Sequence, residues 1–203
     1  MTRHWPRRGL YLVTPEPLPD MALISRLLPH AACLQYRNKL GAPDERLRQA
    51  IALRALCNDA GVAFIVNDDV ELAAAAGADG LHLGEHDADI ATARARLGQA
   101  AILGSSCYDD FARAEAAAHA GADYVAFGAF FPSPTKPNGR RATPQLLRDA
   151  VRLGLPRVAI GGITPDNAEA LVAAGADLIA VISGVFDAPD PVAAARACAA
   201  LFD

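Results

Sequence analysis

Apolar residues fall along this chain in short continuous blocks instead of alternating strictly with polar ones. Eight blocks of β-prone residues lie at 10–14 (LYLVT), 32–36 (ACLQY), 62–66 (VAFIV), 79–83 (DGLHL), 101–105 (AILGS), 123–128 (DYVAFG), 157–161 (RVAIG) and 177–182 (DLIAVI). The stretches between them carry helical patterns at about 19–29, 42–59, 69–76, 88–97, 109–120, 142–153, 165–174 and 189–202. A strand that is apolar on both faces belongs to a parallel sheet covered by helices. Eight strand-then-helix units in one chain predict a compact α/β fold, a (β/α)8 TIM barrel spanning residues 1–203 as a single domain. A doubly wound sheet is the alternative, but no GxGxxG follows the first strand.

A short internal repeat supports the barrel. AGADGLHL (76–83), AGADYVAF (120–127) and AGADLIAV (174–181) each join an alanine-rich helical stretch to an apolar strand through glycine, alanine and aspartate. The glycine suits the left-handed residue that ends a helix. Before the third copy, Thr164-Pro165 predicts a helix N-terminus directly after the IGGI segment at 160–163.

Composition narrows the functional classes. The 203 residues are 52% hydrophobic, enough for one sizeable core, and the formal net charge is -4. That charge disfavours nucleic acid or a membrane surface as partner, so an anionic ligand has to be met by locally clustered cations. No apolar run is long enough to span a membrane, and the basic N-terminus lacks the apolar stretch of a signal peptide, so a cytoplasmic location is expected. Cys33, Cys57, Cys107 and Cys198 are widely spaced, with no CxxC or Cys/His pattern, and are expected to be reduced and buried. Sequence alone leaves homo-oligomer formation through the alanine-rich helices open.

In a barrel of this kind the chemistry sits where the strands end and the βα loops converge. The strand ends read QYRNK (35–39), NDD (67–69), HLGEHD (82–87), GSSC (104–107), FPSPTKP (131–137), GGI (161–163) and ISG (182–184). Arg37, Lys39 and Lys136 bring three cations to this rim. Asp68 and Asp87 follow neighbouring strands, and hard oxygen ligands so placed suit Mg²⁺, although either aspartate is also a candidate helix N-cap. Glycines 161, 162 and 184 lie in the loops after strands 7 and 8, the usual phosphate-binding place of such barrels. The prolines at 132, 134 and 137 stiffen the loop that carries Ser133, Thr135 and Lys136. No Ser-His-Asp or Cys-His arrangement is readable, and His86 is at most a supporting group.

Taken together, these motifs resemble those of the thiamine phosphate synthases, in order and approximate spacing, from about residue 10 to 203. The resemblance implies a transferase that joins a hydroxymethylpyrimidine diphosphate to a thiazole phosphate, or its carboxylated form, and releases diphosphate with the help of Mg²⁺. It implies that Gln35, Tyr36, Arg37, Asn38, Lys39, Asn67, Ser106 and Lys136 bind the pyrimidine diphosphate. Of these, Arg37, Lys39, Ser106 and Lys136 would be catalytic. It further implies that Asp68 and Asp87 hold the metal, and that Ser133, Pro134, Thr135, Gly162, Ile182 and Ser183 meet the thiazole phosphate. The chain departs from the pattern in having Ser133 where a threonine is frequent, and Tyr108 where many members have histidine. Two rivals follow. One is a thiazole tautomerase of the same fold, thought to rely on that histidine. The other is a non-catalytic barrel that only binds a phosphorylated ligand.

Overall fold

In the computed structural model, which describes residues 7–132 and 140–203, the eight apolar blocks form eight parallel strands. These are β1 (Gly9–Val13), β2 (Ala31–Tyr36), β3 (Ala63–Asn67), β4 (Gly80–Leu83), β5 (Ile102–Tyr108), β6 (Tyr124–Gly128), β7 (Arg157–Ile160) and β8 (Leu178–Val181). Each pairs with the next, and β8 pairs with β1, so the sheet closes on itself and leaves no edge. The doubly wound alternative is thereby excluded.

The helices are α1 (Met21–Leu27), α2 (Pro43–Ala60), α3 (Val70–Ala76), α4 (Ile90–Leu97), α5 (Phe111–His119), α6 (Pro144–Asp149), α7 (Glu169–Ala173), α8 (Ser183–Phe186) and α9 (Pro191–Ala200). Single 3₁₀ turns extend α1 over Leu28–His30 and α6 over Ala150–Leu153. Two expectations need correction. Thr164-Pro165 does not open α7, because Asn167 accepts from the Thr164 N–H and donates to the Gly162 carbonyl, holding a turn there instead. The helix begins only at Glu169. The short α8, directly after β8, is absent from the helical pattern of the sequence.

Although both strand faces are apolar, they serve different layers. Tyr11, Cys33, Ile65, Ile102, Tyr124, Val158, Leu178 and Ala180 fill the barrel interior. Leu10, Leu12, Leu34, Phe64, Leu81, Leu103, Val125 and Phe127 pack outward beneath the helices. All four cysteines are free and buried. Among the described residues no helix is long and apolar enough to cross a membrane.

The aspartate of each AGAD repeat has one structural task. Asp79, Asp123 and Asp177 stand just before β4, β6 and β8 at the N-terminal end of the barrel. Their carboxylates accept the backbone N–H of Phe64, Leu103 and Arg157 at the start of the preceding strand. Each also pairs with an arginine: Arg54, Arg94 and Arg157 respectively. The repeat therefore ties strand starts together at the end opposite the mouth.

Candidate active site

Capping decides which aspartates are free for chemistry. Asp69 Oδ1 accepts the Leu72 N–H at 2.9 Å and so caps α3, while its Oδ2 pairs with Arg46 at 3.0 Å. Asp89 caps α4 by accepting the Thr92 N–H at 2.7 Å. The two helix N-termini are thus satisfied by Asp69 and Asp89, and Asp68 and Asp87 are left at the mouth. The Asp68 N–H donates to the His82 carbonyl at 2.8 Å, which holds the residue at φ 64°. The Gly84 N–H donates to Asp87 Oδ2 at 2.6 Å, which ties the β4 loop to its own carboxylate.

The two carboxyl groups bond to each other, and this splits them. Partial burial pushes Asp68 up, but the Lys39 ammonium at 2.7 Å and the bond to Asp87 outweigh it and hold Asp68 below the usual carboxylate range. Partial burial and then the Asp68 carboxylate push Asp87 above that range, against the Gly84 N–H. A pair of carboxylates that must share charge in this way is a donor set suited to a hard cation.

The β2 end delivers the other cations. Arg37 Nη1 lies 3.3 Å from Glu16 Oε2, and the Lys39 N–H donates to the other oxygen of Glu16. The Arg37 N–H also donates to Thr14 Oγ1 at 2.9 Å. Glu16 and Thr14, on the loop after β1, thus place Arg37 and Lys39, and neither stands out in the sequence. The only signal for Glu16 is its position between Pro15 and Pro17.

The side chains of Tyr36 and Asn38 turn to Gln49 on α2. Tyr36 is buried facing outward and its hydroxyl donates to Gln49 on α2 at 2.7 Å. Asn38 donates to the same Gln49 oxygen at 3.1 Å and accepts the N–H groups of Leu40 and Gly41. Neighbouring strand residues point to opposite faces, so Gln35 inward requires Tyr36 outward.

Gln35 and Ser106 do face the interior, and a buried polar chain joins them. Gln35 Nε2 donates to the Tyr11 hydroxyl at 2.8 Å, and that hydroxyl lies 2.8 Å from the Tyr124 hydroxyl. The Tyr124 hydroxyl is 2.9 Å from His82 Nδ1, and His82 Nε2 is 2.8 Å from Ser106 Oγ. Tyr124 also stacks on the His82 ring with centroids 5.5 Å apart. Burial pushes both phenols up and pushes His82 down to about 4, so the imidazole is neutral at neutral pH. In the sequence Tyr11 and Tyr124 read as parts of apolar strands. Inward-facing tyrosines in a strand are the one sequence signal that such a chain leaves.

After β7, Gly162 has φ 64°, and a Cβ there would lie 2.4 Å from the Pro132 carbonyl oxygen, so only glycine lets the two loops meet this closely. Asn67 ends β3, and Ile182 precedes α8, whose first residue is the exposed Ser183. Tyr108 ends β5 at φ 55°, with the Arg113 and Arg140 guanidinium groups 5.6 Å and 5.4 Å from its ring centre. Ser133, Pro134, Thr135 and Lys136 lie outside the described residues. His86 is exposed.

Residues 10–185 match the family model for thiamine monophosphate synthase. The chain belongs to that family. It is 60% identical over 198 residues to a thiamine-phosphate synthase of Xanthomonas campestris pv. campestris, with 96% of each chain covered. A thiamine-phosphate synthase of an Azoarcus species is 58% identical over 200 residues, covering 96% of this chain and 97% of its own. Among solved structures, a thiamine phosphate pyrophosphorylase from Pyrococcus furiosus superposes with a TM-score of 0.87 at 34% identity, covering 96% of this chain and 95% of its own. Membership of the thiamine monophosphate synthase family makes the protein an enzyme of the transferase class, as the strand-end motifs implied.

Proposed function

We propose that the enzyme joins a hydroxymethylpyrimidine diphosphate to a thiazole phosphate, or its carboxylated form, and releases diphosphate. The observation that carries this reading is the pair Asp68 and Asp87, left free of helix capping and set beside Lys39 at the barrel mouth. Their shared charge fits Mg²⁺, which they would hold and which would supply positive charge to the diphosphate oxygens.

The chain's own residues do the rest. Arg37, Lys39 and Lys136 gather the negative charge that grows on the diphosphate as the pyrimidine C–O bond breaks, with the bonding pair leaving on oxygen. The resulting methylene cation is stabilised by the electron-rich aminopyrimidine. The thiazole nitrogen then forms the new C–N bond with its lone pair. Gln35, Asn67 and Ser106 hold the pyrimidine half. The backbone at Gly162, Ile182 and Ser183 receives the thiazole phosphate, together with Ser133, Pro134 and Thr135. No protein nucleophile is required, since the work is charge stabilisation and alignment of two substrates.

The test is diphosphate release with both substrates while Mg²⁺ is titrated, for the parent and for Asp87→Asn. The variant should lose about 10²–10³ in rate, the range for removing one preorganised electrostatic contact, and should need more Mg²⁺. Full turnover with divalent cations removed contradicts the metal assignment.

A further inference from the structure

The loop between β2 and α2 carries Lys39, and side-chain hydrogen bonds set its shape. Leu40 is 88% exposed, so apolar burial does little to hold the turn. Three successive backbone N–H groups instead donate to side-chain oxygens: Lys39 to Glu16, and Leu40 and Gly41 to Asn38 Oδ1 at 3.1 Å and 2.7 Å. The other end of the Asn38 amide is held from the helix. Asn38 Nδ2 donates to Gln49 Oε1 at 3.1 Å, and the buried Tyr36 hydroxyl donates to the same oxygen at 2.7 Å. Gln49 Nε2 in turn donates to Glu45 Oε1 at 3.0 Å.

Both amides have one orientation in this network. Backbone N–H groups only donate, so Asn38 must turn its oxygen to Leu40 and Gly41 and its nitrogen to Gln49. A carboxylate only accepts, so Glu45 requires the Gln49 nitrogen on its side and leaves the Gln49 oxygen facing Asn38. The two ends of the network reach the same answer independently. Gly41 belongs to it as well, because a Cβ there would lie 2.7 Å from Asn38 Nδ2 and 3.0 Å from its Oδ1. On this turn stands Lys39, whose ammonium lies 2.7 Å from Asp68 Oδ2 although its side chain is 53% exposed. A lysine stem is long and flexible, so a fixed backbone beneath it narrows where its charge can sit.

We propose that Gln49 and Asn38 are positioning residues: Gln49 orients the Asn38 amide, Asn38 fixes the turn over 39–41, and the turn aims the Lys39 ammonium at the place of the departing diphosphate. The last step rests on the diphosphate reading given above, and the fixed turn does not.

Two measurements on the intact enzyme test it. The first is amide hydrogen exchange without substrates. Leu40 and Gly41 should exchange about 3–10-fold faster in Gln49→Leu than in the parent, the worth of one hydrogen bond. They should stay near the parent rate in Gln49→Glu, whose carboxylate still accepts from Asn38 and Tyr36. Unchanged exchange in Gln49→Leu overturns the proposal. The second is a double-mutant cycle read as kcat/KM for the pyrimidine diphosphate. Gln49→Leu should lose about 10-fold in the parent background, below the about 10² that a 1 Å misplacement can cost. It should lose almost nothing in Lys39→Ala, because its effect runs through Lys39. KM for the thiazole phosphate should stay in place. No loss in the parent background, or an equal loss in both, refutes the positioning. Gly41→Ala, which displaces the Asn38 amide without altering α2, is the second variant should Gln49→Leu fold poorly, with the same outcomes expected at Leu40 and in the cycle. Were the parent inactive with both substrates, the functional reading would fall, and the exchange rates would still judge the turn.

Discussion

Replacing Asp123 with alanine removes one carboxylate from the N-terminal end of the barrel, and with it the contacts that carboxylate makes. It accepts the Leu103 N–H at 2.8 Å and the Arg94 guanidinium at 2.6 Å. The Arg94 and Asp123 side chains are only 11% and 12% exposed, so water screens the pair little. Breaking a buried pair from one side costs about 3–5 kcal/mol. Arg94 keeps the carbonyls of Ala101 and Gly121 as acceptors, which places the expected loss near the lower bound. We expect Asp123→Ala to lower unfolding stability by about 3 kcal/mol, or Tm by about 6–12 °C for a chain of this size. Asp123→Asn, which keeps an oxygen for Leu103, should lose about half as much. Denaturant unfolding reads both, and a double-mutant cycle with Arg94→Ala should return a coupling above about 1 kcal/mol. Turnover per folded molecule should not change, since the tie lies at the end away from the mouth. The exposed pair Arg96–Glu71 is the internal control, and Glu71→Ala should leave the unfolding midpoint in place. A loss within about 0.5 kcal/mol of the parent for Asp123→Ala would refute the reasoning.

Other outcomes follow from the interior. Gly104→Ala forces a methyl into the Tyr124 ring and should cost about 1–3 kcal/mol by overpacking, together with a raised KM for the pyrimidine substrate. Steady-state kinetics and unfolding on the same preparation check it, and an unchanged KM contradicts it. Burial pushes the thiols of Cys57 up to about 12 and of Cys107 and Cys198 up to about 11, with Cys33 raised as well. Because the thiolate is the reactive form, an aromatic disulfide reagent at about pH 8 should find all four silent in the native protein and all four reactive in denaturant. A thiol that reacts within seconds in the native state would show that its site opens.

Much of the fold is legible because a parallel barrel strand is apolar on both faces, and a continuous block signals that directly. The strand ends follow, and with them Arg37, Lys39, Asp68, Asp87 and Gly162. What stays hidden depends on partners distant in the chain. In the run Asn67-Asp68-Asp69, sequence cannot say which aspartate caps α3, because the choice turns on φ at Asp68 and on Arg46 being there to hold Asp69. The AGAD repeat is visible, but the role of its aspartate is not, since the N–H it accepts belongs to the preceding strand. Tyr11 and Tyr124 are 113 residues apart, and each looks like ordinary core until their hydroxyls are seen 2.8 Å from one another. Thr164-Pro165 misleads because Asn167 offers the backbone a turn that outcompetes the first helical turn.

The most direct test of the central claim is product analysis with both substrates and Mg²⁺, leaving out each substrate in turn, beside Lys136→Ala. The account predicts thiamine phosphate and diphosphate in equal amounts, only when both substrates are present, with a rate at least about 10²-fold lower in the variant. Isomerisation of a thiazole carboxylate phosphate with no diphosphate released would contradict it.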